Sequence, residues 1–500
     1  MKFHINDNNE PKICQAKKRC RFGDFENDHF DNIHDATKEA ELRNADVYSP
    51  KRPMFSKNSS DASNNEVEIS KKLENVDVIP HELILSNDTK DFLEKLSVKG
   101  FTPYVVGGAV RDSLREGVEP KDVDIEVFDA ENIEELSNSL KRMGFQVDEV
   151  GKSFGVLKIC LKDGMDLDVS LPRRDSLIGS GHRDFKVEVD PNLSLTDAAA
   201  RRDFTINALY YSHDRKAIID AHNGHSDWNN KILRHVSDAY SEDPLRVLRA
   251  VQISSRFGLT LAPETVSESK RIKDSFNSLS VERVREEFNK LFNKSEDVSY
   301  GLKVLQDTGW AEHFGLQNMD TKEVSKKVNM SMKAARENDL SPAVYGAAAL
   351  ARAVDTSERK KFLNLVSNDS KSKEFSSKLA NLSLPEKVKT EADAYKWSRE
   401  FFRENKMSVR DFVVFEKSYN PKKSKDMKEL CLGSDSYYSA PNDLVTGEMV
   451  LRVTGESKGG RWIGDVLKKA QEAQDNLTFS DSVEAETWLS DFMESYTKPS

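Results

Sequence analysis

Two aspartates one residue apart, Asp122 and Asp124, lead into the run VDIEVF, and a double glycine, Gly107-Gly108, precedes them. The period of two along a strand puts Asp122, Asp124 and Glu126 on one face and Val123, Ile125 and Val127 on the other. Paired carboxylates hold Mg²⁺ well, and an Mg²⁺ so held stabilises the attacking and leaving oxygens of a phosphoryl or nucleotidyl transfer. The double glycine lets a ligand approach the backbone closely, and the start of the helix expected over 109–114 offers free N–H groups and a positive dipole end. Arg111, with Asp112 in that helix's first turn, could grip an anion with a two-pronged guanidinium. A second alternation, MDLDVSL, faces Asp166, Asp168 and Ser170 one way, so Asp168 joins the first two acids if the strands lie side by side. A plain turn followed by a strand with one wet face fits the same residues.

The elements that must position these groups are readable from periodicity. An amphipathic helix is expected over 83–96, a strand over 104–106, and a helix over 133–143 closed by Gly144. Strands over 150–161 and 165–171 meet at an Asp163-Gly164 turn, and 173–185, with Gly179, Ser180 and Gly181, reads as a mobile loop. The pair His213-Asp214 reads as a hairpin tip. Beyond about Asp220 the pattern turns helical. A helix over 244–257 has Asp243 as its N-cap and Pro244 at its first position, with Asp243, Arg246 and Arg249 along one flank. Ser280 caps another over 281–292. Further helices are expected over 301–310, 343–354 and 394–402, a charged connector over 421–428, and a last helical segment over 444–473.

The 500 residues are 37% hydrophobic and 32% charged, with a mean hydropathy of −0.65. Such a composition suits a soluble, helix-rich protein of several domains. A net charge of −10 confines any RNA site to a local basic patch. The four cysteines, Cys14, Cys20, Cys160 and Cys431, are scattered, so a reducing, cytoplasmic setting is expected. No apolar run is long enough for a bilayer and no secretory leader is evident. Residues 1–80, rich in Asn, Asp, Ser and Lys, read as a disordered extension; the spacing of Cys14 and Cys20 is wrong for common zinc modules.

Several stretches in order resemble the class II tRNA nucleotidyltransferases, the CCA-adding enzymes and bacterial poly(A) polymerases. They are GGAVRD (107–112), KDVDI (121–125), GKSFGVLKI (151–159), RRDFTINAL (201–209), the D-x3-G-x2-D-x6-R run from Asp220 to Arg234, EDPLRVLRA (242–250) and SVERVREEF (280–288). The resemblance implies that Asp122 and Asp124, with Asp168 as a third, carry two Mg²⁺ and catalysis. It implies a triphosphate cradle of Gly107, Gly108 and Arg111, a further phosphate-binding Arg202, and Asp203 and Asn207 near the ribose. Asp243 and Arg246, with Arg249 on the same flank, would read the Watson–Crick edge of the incoming base. Cytosine and adenine both set an amine donor beside a ring-nitrogen acceptor, and uracil and guanine do not. In the tail, Gly459, Gly460 and Gly464, with Lys458 and Arg461, resemble an RNA-phosphate contact, though a helix-packing role fits as well.

Two departures stand out. Gln252 occupies a position where the family usually carries arginine, and His313 is the last histidine after His235, which excludes a histidine-rich phosphohydrolase site in the C-terminal half. GKSFGVLKI also lacks the arginine-rich run associated with bacterial poly(A) polymerases. The expected fold is therefore α+β. A nucleotidyltransferase α/β head (81–217) is followed by a helical neck (218–294), a helical body (295–420) and a tail (421–500). The expected activity is Mg²⁺-dependent addition of C, C and A to tRNA 3′ ends from CTP and ATP, contacting the tRNA acceptor arm and 3′ end. No membrane and no stable protein partner are implied. A poly(A), A-only or C-only adding enzyme, or an inactive tRNA-binding or nucleotide-binding protein, are the alternatives.

Overall fold

The run VDIEVF is buried at every position except Asp124, the pattern of a strand covered on both faces. The computed structural model describes residues 76–497 except 116–119, 121, 153–154, 178–184 and 191–192. The described chain begins with β1 (Asp77–Pro80), α1 (Asn87–Val98), β2 (Thr102–Val106), α2 (Gly108–Ser113), β3 (Val123–Phe128) and α3 (Ile133–Arg142). Then come β4 (Gln146–Asp148), β5 (Val156–Cys160), β6 (Asp166–Ser170), β7 (Arg173–Leu177) and β8 (Phe185–Val189). The head closes with α4 (Leu195–Ala200), β9 (Tyr210–Ser212) and β10 (Ala217–Asp220).

Eight of these strands form one mixed sheet in the order β1-β10-β9-β2-β3-β6-β5-β4. The β3–β6 pair is parallel and aligns Asp124 with Asp168; a parallel pair needs a long crossover, here supplied by α3, β4 and β5. One sheet face packs Ile125, Val127 and Val169 against Phe92 and Leu96 of α1 and Leu136 and Leu140 of α3. On the other, Tyr104, Phe128 and Tyr210 pack under Ala198 and Ala199 of α4.

Several boundaries differ from the sequence expectation. Of the expected extension, residues 1–75, with Cys14 and Cys20, lie outside the described residues, while Asp77–Pro80 pair with β10. The first helix starts at Asn87, where Ser86 Oγ accepts Thr89 N–H at 3.2 Å; Leu83 and Leu85 are buried ahead of it. The strand expected over 150–161 begins only at Val156, after a turn at Gly155 with φ 71°. Of the loop expected over 173–185, residues 178–184, with Gly179, Ser180 and Gly181, lie outside the described residues, while 173–177 form β7 and Phe185 opens β8, Arg173 facing Val189 and Leu177 facing Phe185. The backbone of 173–177 satisfies its hydrogen bonds against a partner that local composition does not reveal.

The rest is helical: α5 (Gly224–Asn229), the short strand β11 (Ile232–Leu233), α6 (Leu245–Phe257), the short strand β12 (Thr260–Leu261), α7 (Pro263–Arg271), α8 (Val281–Lys294) and α9 (Ser299–Asp307). There follow α10 (Thr321–Glu337), α11 (Pro342–Ala351), α12 (Arg359–Val366), α13 (Ser370–Asn381), α14 (Glu391–Asn405) and α15 (Val409–Glu416). The charged connector expected over 421–428 is a helix, α16 (Pro421–Cys431). Ser424, Met427 and Cys431, at helical spacing, bury its inner face, and the lysines occupy the rest. The last helical segment divides into α17 (Gly447–Thr454) and α18 (Trp462–Asp475), parted at Gly455 with φ 68°, and α19 (Ser482–Ser495) follows.

One hydrophobic core runs from Phe204 to Tyr437, so the 294/295 line drawn from sequence falls inside it. The tail has its own cluster, from Val445 to Leu489. The fully buried Arg399 of α14 links the two, donating to Asp435, Asp443 and Asp475. Among the described residues no helix is long and apolar enough to cross a membrane.

Helices α6 and α9 cross at Gly301, whose N–H donates to Ser255 Oγ at 2.9 Å. A Cβ there would sit within overlap distance of Val251 O, a backbone atom that cannot swing aside. Gly301→Ala is expected to cost about 1–3 kcal/mol, read as a lower denaturant midpoint.

Candidate active site

The parallel register brings Asp124 and Asp168 side by side, and Asp122 stands exposed just ahead of β3. Asp168 Oδ1 lies 3.0 Å from Nζ of Lys158, its cross-strand neighbour on β5. The Asp124 carboxyl is raised above the usual carboxylate range. Loss of hydration is the main cause, then the charge of Asp168 and, less, Asp122, against the pull of Arg202 and Lys158. A carboxyl raised by neighbouring like charges is relieved by a cation. Among the described residues no set of three or more acidic, histidine or cysteine side chains already converges on one metal position. The donors are hard carboxylate oxygens, which suit Mg²⁺, and Asp168 would exchange Lys158 for it.

Gly107 turns the chain at φ 72° and ψ −130°, a conformation reserved for glycine. A Cβ there would lie 3.5 Å from Arg202 Nη1 and 3.6 Å from Asp124 Oδ2. The turn, Arg202 and Asp124 therefore border one spot. Helix α2 begins at Gly108, so Arg111 falls in its last turn, not its first. Arg111 is buried, with Nε donating to Asp112 Oδ1 at 2.8 Å and Nη1 to Asn207 Oδ1 at 2.6 Å. Its guanidinium lies over the Phe257 ring, 4.6 Å from the centroid. Both prongs are thus engaged within the protein, on Asp112 and Asn207.

The run RRDFTINAL supplies the next layer. Asp203 Oδ1 accepts from Phe204 N–H at 2.8 Å and Asn207 Nδ2 at 2.9 Å, and its Oδ2 accepts from Arg249 Nε at 2.7 Å. Burial alone would push the Asp203 carboxyl up, but Arg249, Asn207 and Arg246 hold it at about 2. Asp203 and Asn207 thus join Arg111 on the head to Arg249 on α6.

Pro244, not Asp243, is the residue flanking α6; Asp243 stands one position earlier and still caps, accepting Leu245 N–H at 3.2 Å. Its carboxylate is clasped by Arg283 of α8, Nη2 to Oδ2 at 2.7 Å. Arg246 donates to Ala239 O at 2.7 Å and Arg201 O at 2.6 Å. Asp243 and Arg246 share a flank while each is steadied by its own partner. Gln252, further along, is buried, and Arg256 reaches Asp112 at 2.9 Å. Lys458 and Arg461 are exposed between α17 and α18, in the tail's separate packing unit.

Sequence reasoning did not single out Arg283, Arg256 or Tyr210, and it placed Glu126 on the carboxylate face without a role of its own. Arg283 lay within SVERVREEF, but nothing local says that it reaches back to Asp243.

Residues 103–234 match the family model described as the poly A polymerase head domain. Over those residues the chain is similar to that family. Residues 258–317 match a second model, described as the probable RNA and SrmB-binding site of polymerase A. A multifunctional CCA protein of Xanthomonas campestris pv. campestris (strain B100) is 35% identical over 211 residues, 41% of this chain and 48% of that protein. A namesake from Vibrio parahaemolyticus serotype O3:K6 is 38% identical over 211 residues, 41% of this chain and 49% of that one. The chain thus spans about half the length of these relatives. The Bacillus stearothermophilus CCA-adding enzyme in complex with CTP shares the fold, with a TM-score of 0.61 at 22% identity over 81% of this chain and 97% of that one. So does the Thermotoga maritima CCA-adding enzyme complexed with tRNA, with a TM-score of 0.55 at 17% identity over 85% and 98%.

Because Asp203 is depressed from the ordinary 3.8 to about 2, its contribution to stability is complete above about pH 4 and lost as pH falls towards 2. Asp203→Asn should cost about 2 kcal/mol at pH 7 and flatten the acid limb of a stability-versus-pH curve measured by denaturant midpoints.

Proposed function

We propose that the protein adds nucleotides to the 3′ end of tRNA without a nucleic-acid template, building C, C and A from CTP and ATP. The observation that carries this reading is the alignment of Asp124 with Asp168 beside the Gly107 turn and Arg202. Carboxylates for a hard cation meet a backbone turn and a guanidinium for phosphates, as nucleotidyl transfer requires. The names of the bacterial relatives and the CTP-bound and tRNA-bound structures of the same fold support the substrates.

In this reading Asp122 and Asp124, joined by Asp168, hold two Mg²⁺. When bound, these would lower the charge on the triphosphate and favour the ionised RNA 3′-hydroxyl. Joining the RNA 3′-oxygen to the α-phosphorus releases pyrophosphate. Gly107 and Gly108 admit the phosphates close to the backbone, Arg202 offers them a charge from the side, and Arg111 keeps the turn in shape. Asp203 and Asn207 border the ribose while pinning α6 through Arg249. Asp243 and Arg246 read the base, accepting from the exocyclic amine and donating to the ring nitrogen shared by cytosine and adenine. Lys458 and Arg461 meet the tRNA acceptor arm. The head (81–217) carries the chemistry, the neck (218–294) the base selection, and the body and tail the RNA. The cytoplasm, where tRNA and nucleoside triphosphates meet, is the expected setting.

The test uses the purified chain, tRNA ending before CCA, Mg²⁺, and each nucleotide singly and then CTP with ATP, with the products sequenced. Ordered C, C and A is the expected result; a long A tract formed even with CTP present overturns it in favour of poly(A) addition. Asp122→Ala and Asp124→Asn should each cut incorporation by roughly a thousandfold or more while tRNA binding stays near wild type. Arg246→Ala should admit UTP or GTP before turnover is lost, read from the same products.

A further inference from the structure

Glu126 follows Asp124 on the same face of β3, yet it is completely buried where Asp124 is exposed. Its Oε1 accepts from Arg201 Nη2 at 3.0 Å, and its Oε2 from Arg202 Nη2 at 3.0 Å and from the Tyr210 hydroxyl at 2.8 Å. Burying a carboxylate is costly unless charge and hydrogen bonds compensate it. Here they do. Burial would raise its pKa, but Arg202, Arg201 and Tyr210 more than offset this and hold it below the usual range.

One cation would suffice to balance that charge, and the cluster has two. Arg202 spends Nη2 on Glu126 and lies over the Tyr210 ring, 5.4 Å from its centroid. Its Nε is buried with no hydrogen-bond partner, and its Nη1 is directed to the Gly107 turn beside Asp124. A long, flexible side chain is thus immobilised at one end and left with donor capacity at the other. Fixing a donor before the ligand arrives reduces the ordering cost of binding.

We infer that Glu126 is a positioning residue for the triphosphate: by gripping Nη2 of Arg202, with Tyr210 as a third contact, it holds that guanidinium against the Gly107 turn, where a phosphate would lie. This rests on the nucleotidyl-transfer reading and extends it to a buried acid that touches no substrate. Arg201, the cluster's other cation, accepts Arg246 Nη2 on its carbonyl. The clamp on the phosphate side and the base-reading helix therefore meet at consecutive residues.

The test is a double-mutant cycle of Glu126→Gln and Arg202→Gln in the full chain. Its readouts are equilibrium dialysis of Mg-ATP, steady-state kinetics with tRNA lacking CCA, and thermal midpoints. Glu126→Gln is expected to raise the Kd and KM for ATP roughly tenfold while kcat changes by less than about threefold and tRNA affinity is unchanged. In the Arg202→Gln background, Glu126→Gln should add less than about twofold, because the residue it positions is gone. An unchanged Kd for Glu126→Gln, or full additivity in the double variant, overturns the inference. Should Glu126→Gln not fold, Tyr210→Phe removes one contact and keeps both charges. Its Kd should then rise about two- to threefold and become insensitive in the Arg202→Gln background; no rise overturns the inference. ATP binding with this mutational pattern but no nucleotide incorporation would remove the polymerising activity and leave the clamp standing. Failure of the wild-type chain to bind Mg-ATP overturns the clamp as well.

Discussion

The site depends on a run of arginine pairings between the head and one flank of α6. Arg246 holds the Arg201 carbonyl, Arg249 the Asp203 carboxylate, and Arg256 the Asp112 carboxylate, which in turn engages Arg111. These pairs are partly or wholly withdrawn from water, where losing one partner strands the other. The helix that carries Asp243 and Arg246 is therefore registered against the turn at Gly107 through side chains that need never touch a substrate. Several residues that look like ligand contacts in the sequence are also the joints of this frame.

A second constraint acts from inside the sheet. The β3–β6 pairing aligns Asp124 with Asp168, while Lys158 one strand further out pairs with Asp168. Negative charge is thus concentrated at the strand edge and partly balanced by a neighbour that can be exchanged. On the same strand Glu126 turns its charge inward. Alternation places Asp124 and Glu126 alike, but Arg201, Arg202 and Tyr210 enclose one and leave the other open. Two acids on one strand face acquire opposite environments because the covering layer ends between them.

The catalytic candidates were legible because they lie in short local patterns. Asp122 and Asp124 are separated by one residue, the double glycine precedes a helix, and Asp243 with Arg246 spans one helical turn. The α3 helix was readable to within a residue of its end, since Leu136, Leu140 and the positive φ of Gly144 are local signals. The β7–β8 hairpin and α16 were not. A hairpin strand rich in charge and a lysine-rich helix look like loops until a partner surface is known, and that surface comes from distant chain.

By itself, then, the sequence determined the chemical types at the site, their spacing along the chain, and the α+β order of head before helices. Period, capping and glycine conformational freedom act over a few residues and need no tertiary context. Only the tertiary structure decided which side chain serves which partner. Arg111 is turned under Asp112 and Asn207, Asp243 is clasped by Arg283 from forty residues away, and Glu126 is buried under two arginines. Those assignments depend on which elements come to lie across from one another, and burial then obliges each charge to take the partner it meets there.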